Sequence, residues 1–409
     1  MARRGVRMLA WGLGGVALGV ALLLLLLNIV ARTERGHEFV LQRTLNALGG
    51  NIRGGKLLIQ RIDGNLFEGA KVYGLRLQDN QGRAFVVADS AYLNYTVTSL
   101  ISPRIHISKA TLYEPEIYIF KLPGDSLWNY QAIFADTTTR DPNRPKIERA
   151  TLVDSLRVFN GIARVQTPWS PDSSLSLRAQ RVAVADALSD TSLALVDTVR
   201  GGYIRTMNFT RLYGRISRVR FAPGSSTGSR IHIDSLRGVA QIFRKPVQFD
   251  QVQGVVALLR GHVELDAPVL RLPGSTLSMS GVVRTDSFPA WFPRDQAPMY
   301  DLAFRSDSVR FRDLQWLYPR FPAEAHGSLS LRIEHRPGGL MFLARETDVT
   351  APGTHLVGDF GMILGDTLRF VDVDLKADPI RISTIEKMLP EGLPVRGLTL
   401  GGVDIRGEP

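Results

Sequence analysis

Cysteine is absent from the 409 residues of this chain. The chain therefore has no disulfide framework, no thiolate zinc site, no iron–sulfur cluster and no thiol nucleophile. Lysine is scarce as well: it supplies eight of the 50 basic residues, and arginine supplies the rest. Against 39 acidic residues this leaves a formal net charge of +11, and 44% hydrophobic with 22% charged residues excludes a disordered tail or an all-membrane chain.

Motifs that mark catalytic or nucleotide-binding sites are also missing. The sequence contains no H-E-x-x-H helix, no nucleophile elbow and no Walker loop, and its seven histidines show no zinc-site spacing. His262 and Glu264 alternate along one strand pattern, which favours a solvated strand face over an acid–base pair. No aromatic-interleaved basic segment of the nucleic-acid-binding kind is present. We therefore expect no enzyme activity, no metal or other cofactor, and no nucleic-acid partner.

The N-terminus has the pattern of a membrane anchor. Residues 8–27 contain no charge, and at ~1.5 Å per helical residue this run spans about 30 Å, the thickness of a bilayer core. We predict a transmembrane helix at 8–31. A cleaved signal peptide is the alternative, but its apolar region is shorter, and residues 29–31 form a poor cleavage site. The residues assigned to the anchor are Arg3, Arg4, Arg7, Trp11, Leu22 and Leu25.

The three arginines before the apolar run predict its orientation. The positive-inside rule places residues 1–7 in the cytoplasm and everything after the span on the far side of the membrane. Within the span, Gly15 and Gly19 have the spacing of small residues that can pack a second membrane helix.

From residue 51 onward, apolar residues recur with a period of two. Leu329, Leu331 and Ile333, for example, alternate with Ser330 and Arg332. This alternation indicates strands with one apolar face, and turns rich in Gly, Pro and Asp separate them. The pattern predicts a mostly antiparallel β region with a few short helices, at 126–135, 313–318 and 383–389. The predicted segments are a cytoplasmic N-terminus (1–7), the transmembrane helix (8–31), an amphipathic helix (32–50), a first β unit (51–135), a linker (136–146), β repeats (147–300) and a further β repeat with short helices (301–409).

Internal repetition supports an elongated architecture. Residues 307–331 have the order strand, short helix, Pro, Gly and new strand, and residues 378–400 repeat this order about 70 residues later. Repetition at a fixed period is typical of quasi-one-dimensional arrays. Because the second copy stops soon after its new strand begins, we expect the parent protein to extend beyond residue 409.

Several segments carry a resemblance to a known family. They are IDGNLFEG at 62–69, VYGLRLQD at 72–79, ATLYEPEIYI at 110–119 and LRLPGSTLSMSG at 270–281. Together with the N-terminal anchor, they resemble the AsmA-like superfamily of Gram-negative envelope proteins, in particular its TamB branch, the inner-membrane component of the translocation and assembly module. The resemblance implies a single-pass inner-membrane protein whose bulk lies in the periplasm. It also implies an elongated β-sheet curled into an apolar groove, a β-taco.

The resemblance and the strand pattern lead to two functional hypotheses. A sheet with one apolar face must bury it, by closing on itself, by packing a second sheet or by curling around guest acyl chains. The leading hypothesis is a lipid-transfer conduit that moves phospholipid between the inner and outer membranes. The alternative is an assembly factor that binds outer-membrane β-barrel proteins through a strand edge, and a barrel protein of the Omp85 type is its expected partner. The predicted groove-lining residues are Leu75, Leu77, Ile105, Ile107, Ile117, Ile119, Leu329, Leu331, Val371 and Val373.

Overall fold

The structure of the chain is a computed structural model. It describes residues 52, 54–65, 69–95, 104–134, 150–171, 176–189, 196–222, 228–242, 245–259, 261–284, 289–292, 299–316, 319–337, 339–364, 368–381, 384 and 403–407. The predicted anchor with its six residues, Gly15 and Gly19, the amphipathic helix, the linker and most of the predicted helix at 383–389 lie outside them. No helix in the described ranges is long and apolar enough to cross a membrane.

The described residues form one large sheet with two short α-helices and one 3₁₀ turn. The strands are β1 (Gly55–Leu58), β2 (Arg61–Asn65), β3 (Gly69–Asp79), β4 (Ala84–Tyr95), β5 (Arg104–Tyr113), β6 (Glu116–Phe120), β7 (Ala150–Trp169), β8 (Val196–Val199), β9 (Gly202–Phe221), β10 (Ser229–Gln241), β11 (Val247–Leu259), β12 (His262–Arg271), β13 (Thr276–Arg284), β14 (Met299–Arg310), β15 (His326–Arg336), β16 (Gly339–Ala351), β17 (Thr354–Leu364), β18 (Leu368–Ala377) and β19 (Val403–Gly407). The helices are α1 (Asn129–Phe134) and α2 (Leu177–Ser189), and the 3₁₀ turn is Phe311–Leu314. The prediction of a mostly β chain is confirmed.

Sheet order follows chain order with few exceptions. Strands β1 and β2 both pair with β3, β5 and β6 both lie between β4 and β7, and from β9 to β19 each strand pairs antiparallel with the next. The exception to the predicted antiparallel order is β7, which runs parallel to β5 and β6, so the sheet is mixed. The chain between β6 and β7 is long enough to return to the end at which β5 began, as a parallel crossover requires.

Strand β15 illustrates how the sequence specifies a strand. Ile333 is buried while its neighbour Arg332 is exposed, which is the expected result when successive side chains point to opposite faces. The chain then turns back within a few residues, since Arg336 pairs directly with Gly339.

The helices agree only partly with the prediction. Helix α1 lies within the predicted segment 126–135, and the 3₁₀ turn overlaps only the first residues of the segment 313–318. Helix α2 was not predicted. It begins after Ser176, whose hydroxyl oxygen accepts a hydrogen bond from the backbone N–H of Ala179 at 3.3 Å, a typical N-cap. None of its residues is buried, and half of its half-buried stripe is alanine, which gives only a weak hydrophobic period in the sequence.

Left-handed residues kink several neighbouring strands at the same level. Gly74 in β3, Glu114 between β5 and β6, Asn160 in β7 and Arg211 in β9 have φ values of 59°, 49°, 52° and 52°. A non-glycine residue in this conformation costs roughly 1–2 kcal/mol. Register shifts also interrupt every strand pair from β9–β10 to β17–β18. Such bulges bend strands and increase their twist.

These kinks bring distant ends of the sheet together. Phe85 lies at the start of β4, and Phe221 lies at the far end of β9, where it pairs with Thr151. Along the strands the two levels are separated by roughly 40 Å, because about 12 residues at ~3.3 Å each lie between them. The Phe85 and Phe221 rings nevertheless stack with centroids 6.4 Å apart, and Phe134 of α1 packs edge-on against both. The sheet is therefore strongly bent.

Candidate functional site

One face of the sheet is apolar, beginning at its N-terminal strands. Residues opposite each other on neighbouring strands point to the same face, so the strand register defines rows of side chains. A first row crosses the sheet from β1 to β11 and consists entirely of hydrocarbon side chains. Its members are Leu57, Leu77, Val86, Ile117, Ala163, Phe209, Ala240 and Val247.

Two more rows continue this apolar face to β18. One consists of Ile231, Val256, Leu265, Gly281, Leu302, Ile333, Phe342, Met362 and Phe370. The other, two residues along the strands, consists of Ala267, Met279, Phe304, Leu331, Ala344 and Phe360. Ala240 of the first row packs in one cluster with Val252, which alternates along β11 with Val256. The three rows therefore share one face, which we call the apolar face.

The opposite face of the same strands carries the charges. Its rows contain Glu264, Asp266, Asp301, Arg332, Glu334 and Arg369. Arg332 donates from Nε to Oδ1 of Asp301 at 3.1 Å. His262 and Glu264 are 3.4 Å apart on this polar face, as the alternation predicted.

Ile333 of the apolar face is buried, but several other long side chains on this face are only half-buried. Leu77, Ile117, Leu302 and Phe342 are all in this state, and Phe370 is 48% exposed. Among the fully buried apolar residues, by contrast, alanine is the commonest. Helix α1 packs against β1, β3 and β6, and α2 lies beside β8. These contacts leave β10 to β18 without an α-helix, but Phe311 and Leu314 of the 3₁₀ turn form a buried cluster against which Leu329 of the apolar face packs.

The structure places most of the predicted groove residues on this face. Those seven are Leu75, Leu77, Ile117, Ile119, Leu329, Leu331 and Val373. Ile107 pairs with Tyr95 beyond a register shift in β4–β5, so strand alternation does not assign it to the same face as Ile117. The side chain of Ile105 lies outside the described residues. Their role in contacting lipid stays a prediction.

Two kinks change which residues of a strand point to the apolar face. At Glu114 the alternation shifts by one residue. Before it the even-numbered Leu112 is on the apolar face, because it pairs with Val158 of the buried cluster, and Tyr113 points to the opposite face. At Asp372, which has a φ of 50°, the phase changes again. Val371 therefore pairs with Gly361 on the polar face rather than joining Val373.

The imidazole of His335 lies at the end of the apolar face. His335 stacks on Tyr300 with ring centroids 5.5 Å apart and meets the buried Phe292 edge-on at 5.1 Å. Its Nδ1 accepts a hydrogen bond from the backbone N–H of Tyr300 at 3.0 Å. Burial lowers the pKa of His335 from its ordinary value of 6.5.

This lowered pKa predicts a pH-dependent stability. As the pH falls below about 6.5, His335 binds a proton more readily in the unfolded chain than in the folded chain. The folded state therefore loses stability as the pH falls toward the lower pKa that His335 has in the folded state. We expect His335→Gln, which keeps an acceptor but does not titrate, to reduce the loss of thermal stability between about pH 7.5 and about pH 5.5. An unchanged difference between the two pH values would contradict this assignment.

A polar cleft lies beside the 3₁₀ turn, on the charged side. It has a volume of about 850 Å³, and its lining includes Arg310, Arg312, Asp307 and Asp348. Asp313 is engaged there, since its Oδ2 accepts bonds from the Gly274 N–H at 2.8 Å and the Ser275 hydroxyl at 2.6 Å. No group of three or more His, Asp or Glu side chains within the described ranges could hold a metal ion.

Comparison with protein-family models, with curated proteins and with solved structures finds no match to this chain. The resemblance to the AsmA-like superfamily therefore stays a prediction from the sequence.

Proposed function

We propose that this protein is a non-enzymatic, membrane-anchored conduit for phospholipid, whose acyl chains lie along the apolar face. The observation that carries the proposal is the continuous apolar face formed by three rows of uncharged side chains from β1 to β18. From β10 to β18 it extends over roughly 38 Å, at ~4.8 Å per strand. Soluble proteins rarely leave so large an apolar patch in contact with water.

Bending of the sheet supports a groove over a flat surface. Besides the contact of Phe85 with Phe221, Arg205 near the start of β9 lies close enough to Tyr300 to oppose the rise that burial causes in the pKa of the Tyr300 hydroxyl. Tyr300 is at the start of β14, at the opposite end of the strands. In both cases a residue at the beginning of one strand lies near a residue of a later strand that is at the opposite end of the sheet along the strand direction. Tyr300 alternates with Leu302 of the apolar face, so the approach of Arg205 favours a trough with this face inside.

Acyl chains are suited to such a trough. Each CH₂ group that leaves water contributes about 0.8 kcal/mol, and hydrocarbon tails make no demand for hydrogen bonds from the wall. Neighbouring positions along the rows are chemically alike, so a lipid can move from one to the next without crossing a charged residue. These properties favour transport over tight binding at one position.

Photocrosslinking at two adjacent residues tests the proposal. Phe342 is on the apolar face and Leu343 is on the polar face, and both side chains are half-buried. With a photoreactive phenylalanine analogue at either position in the full-length protein, we expect phospholipid adducts at 342 and none at 343, detected by mass spectrometry. Equal labelling of both positions, or no lipid at 342, would overturn the lipid assignment.

The strand edge of β18 favours the assembly-factor alternative. Strand β19 pairs only with Val373–Ala377 of β18, so the first half of β18 has no strand partner on that side within the described ranges. An unpaired edge is a template for another chain. Capture of an outer-membrane barrel protein through a photoreactive group at Phe370, with no lipid at 342, would support this alternative.

A further inference from the structure

Exposed aromatic side chains gather on the polar side of the first strands. Tyr92 in β4, Tyr113 in β5 and Phe159 in β7 are 39%, 42% and 40% exposed. The rings of Tyr113 and Phe159 stack with centroids 5.3 Å apart and planes 12° from parallel. Tyr73 in β3 continues the group, because it pairs with Ser90, which in turn pairs with Tyr113.

Cations surround these rings. The Arg61 guanidinium and the Lys71 ammonium lie over the Tyr73 ring, at 4.4 Å and 4.8 Å from its centroid. Next to Phe159, Arg157 is directly opposite Arg215 on β9. Like charges in this position destabilise a sheet, and the Arg157 Nε is buried with no hydrogen-bond partner among the described residues.

Few carboxylates neutralise this surface. Asp63 is paired with Arg61 at 3.0 Å, and Glu114 accepts a hydrogen bond from the Asn160 amide at 3.3 Å. No carboxylate of the described residues lies in salt-bridge distance of Arg157 or Arg215. We call Tyr73, Tyr92, Tyr113, Phe159, Lys71, Arg157 and Arg215 the aromatic–cationic platform.

We infer that the aromatic–cationic platform docks on the anionic phospholipid headgroups of the membrane in which the chain is anchored. Tyrosine, arginine and lysine are typical of membrane interfaces. The tyrosine ring lies at the boundary of the apolar region, and the cation binds the lipid phosphate. The platform also lies in the strands that follow most closely on the predicted span at 8–31. Its exposed rings and cations suit a bilayer surface better than a folded partner, which would require a buried centre.

Docking on headgroups differs from carriage of acyl chains, because the platform is on the polar side of the sheet. It would hold β3 to β9 against the bilayer and thereby keep the start of the apolar face near its lipid source. Lipid can label position 342 even if the platform does not dock, and the platform can dock even if no lipid labels position 342. The two proposals can therefore be tested separately.

A single fluorescent label can test the docking directly. Since the chain has no cysteine, Lys109→Cys places an environment-sensitive dye uniquely on β5, at an exposed residue two positions from Thr111. Lys376→Cys, also exposed but on β18, is the matched control. The full-length protein is reconstituted into vesicles of phosphatidylcholine alone or with about one third phosphatidylglycerol. We expect a blue shift at 109 only in the anionic vesicles, reversed by high salt, and no shift at 376.

Charge removal gives the quantitative test. Arg157→Gln with Arg215→Gln should weaken docking about 30-fold, since each arginine near an anionic surface contributes about 1 kcal/mol. Arg271→Gln with Arg284→Gln removes the same charge from exposed residues of β12 and β13 and should leave the shift unchanged. No shift at 109, an equal shift in neutral vesicles, or an equal loss in both double variants would overturn the inference.

Discussion

Replacement of Leu331 by Asp is expected to abolish lipid occupancy while leaving the sheet folded. Leu331 is in the middle of the apolar face, between Phe304 and Ala344, and is half-buried. In an empty groove the new carboxylate remains in contact with water. In a groove filled by acyl chains it is unpaired in hydrocarbon, at a cost of several kcal/mol. We expect the lipid adduct at position 342 to fall by about 100-fold or more, since ~1.4 kcal/mol corresponds to tenfold.

Leu343→Asp is the matched control for this substitution. It makes the same chemical change at a half-buried leucine on the polar face, where Arg332 is directly opposite. Lipid labelling and thermal stability should stay close to those of the unchanged protein. If Leu331→Asp instead eliminates cooperative melting, the apolar face is a closed core, because burial of an unpaired charge is among the most destabilising substitutions.

Strands were predictable because the pleat imposes its period directly on the sequence. In β15, Leu329, Leu331 and Ile333 alternate with polar residues, and the structure has them on one face. The same argument works within any uninterrupted strand. The existence of an apolar face could therefore be predicted from the sequence, but the pairing of residues between its strands could not.

Changes of phase could not be predicted, since they depend on partners far away in the chain. Glu114 keeps its left-handed conformation beside Asn160, 46 residues away, which donates to its carboxylate. Arg345 bonds both Asp359 and Asp372 at 2.8 Å, and so connects three strands beside the kink at Asp372. Non-glycine residues carry no local signal for φ > 0, and alternation alone therefore assigned Val371 to the wrong face.

The aromatic–cationic platform was missed for a topological reason. Tyr113 and Phe159 are neighbours only because β7 runs parallel to β5, whereas an antiparallel arrangement was expected. Long-range pairing, rather than composition, brings these side chains together.

A methyl group at Gly358 is expected to unfold the C-terminal strands locally. Gly358 has a φ of 127°, and a Cβ built there would lie 2.0 Å from the backbone oxygen of Asp374. Because that oxygen belongs to the neighbouring strand, relief of the overlap requires β17 and β18 to separate. We expect Gly358→Ala to reduce the free energy of local unfolding by about 4 kcal/mol or more, as in the most destabilising single substitutions. Amide hydrogen exchange in β17 and β18 measures this value.

Gly82→Ala separates the steric overlap from the backbone strain. Gly82 also has a positive φ, 81°, but a Cβ there would meet nothing within 4 Å. Alanine at this turn should therefore cost only the strain of a left-handed residue, roughly 1–2 kcal/mol. If the two variants lose equal stability, strand separation at Gly358 is not required, and the bulge in β17–β18 is free to rearrange. A larger loss at Gly358, confined to β17, β18 and their neighbours, would show that the backbones are held in close contact beneath the apolar face.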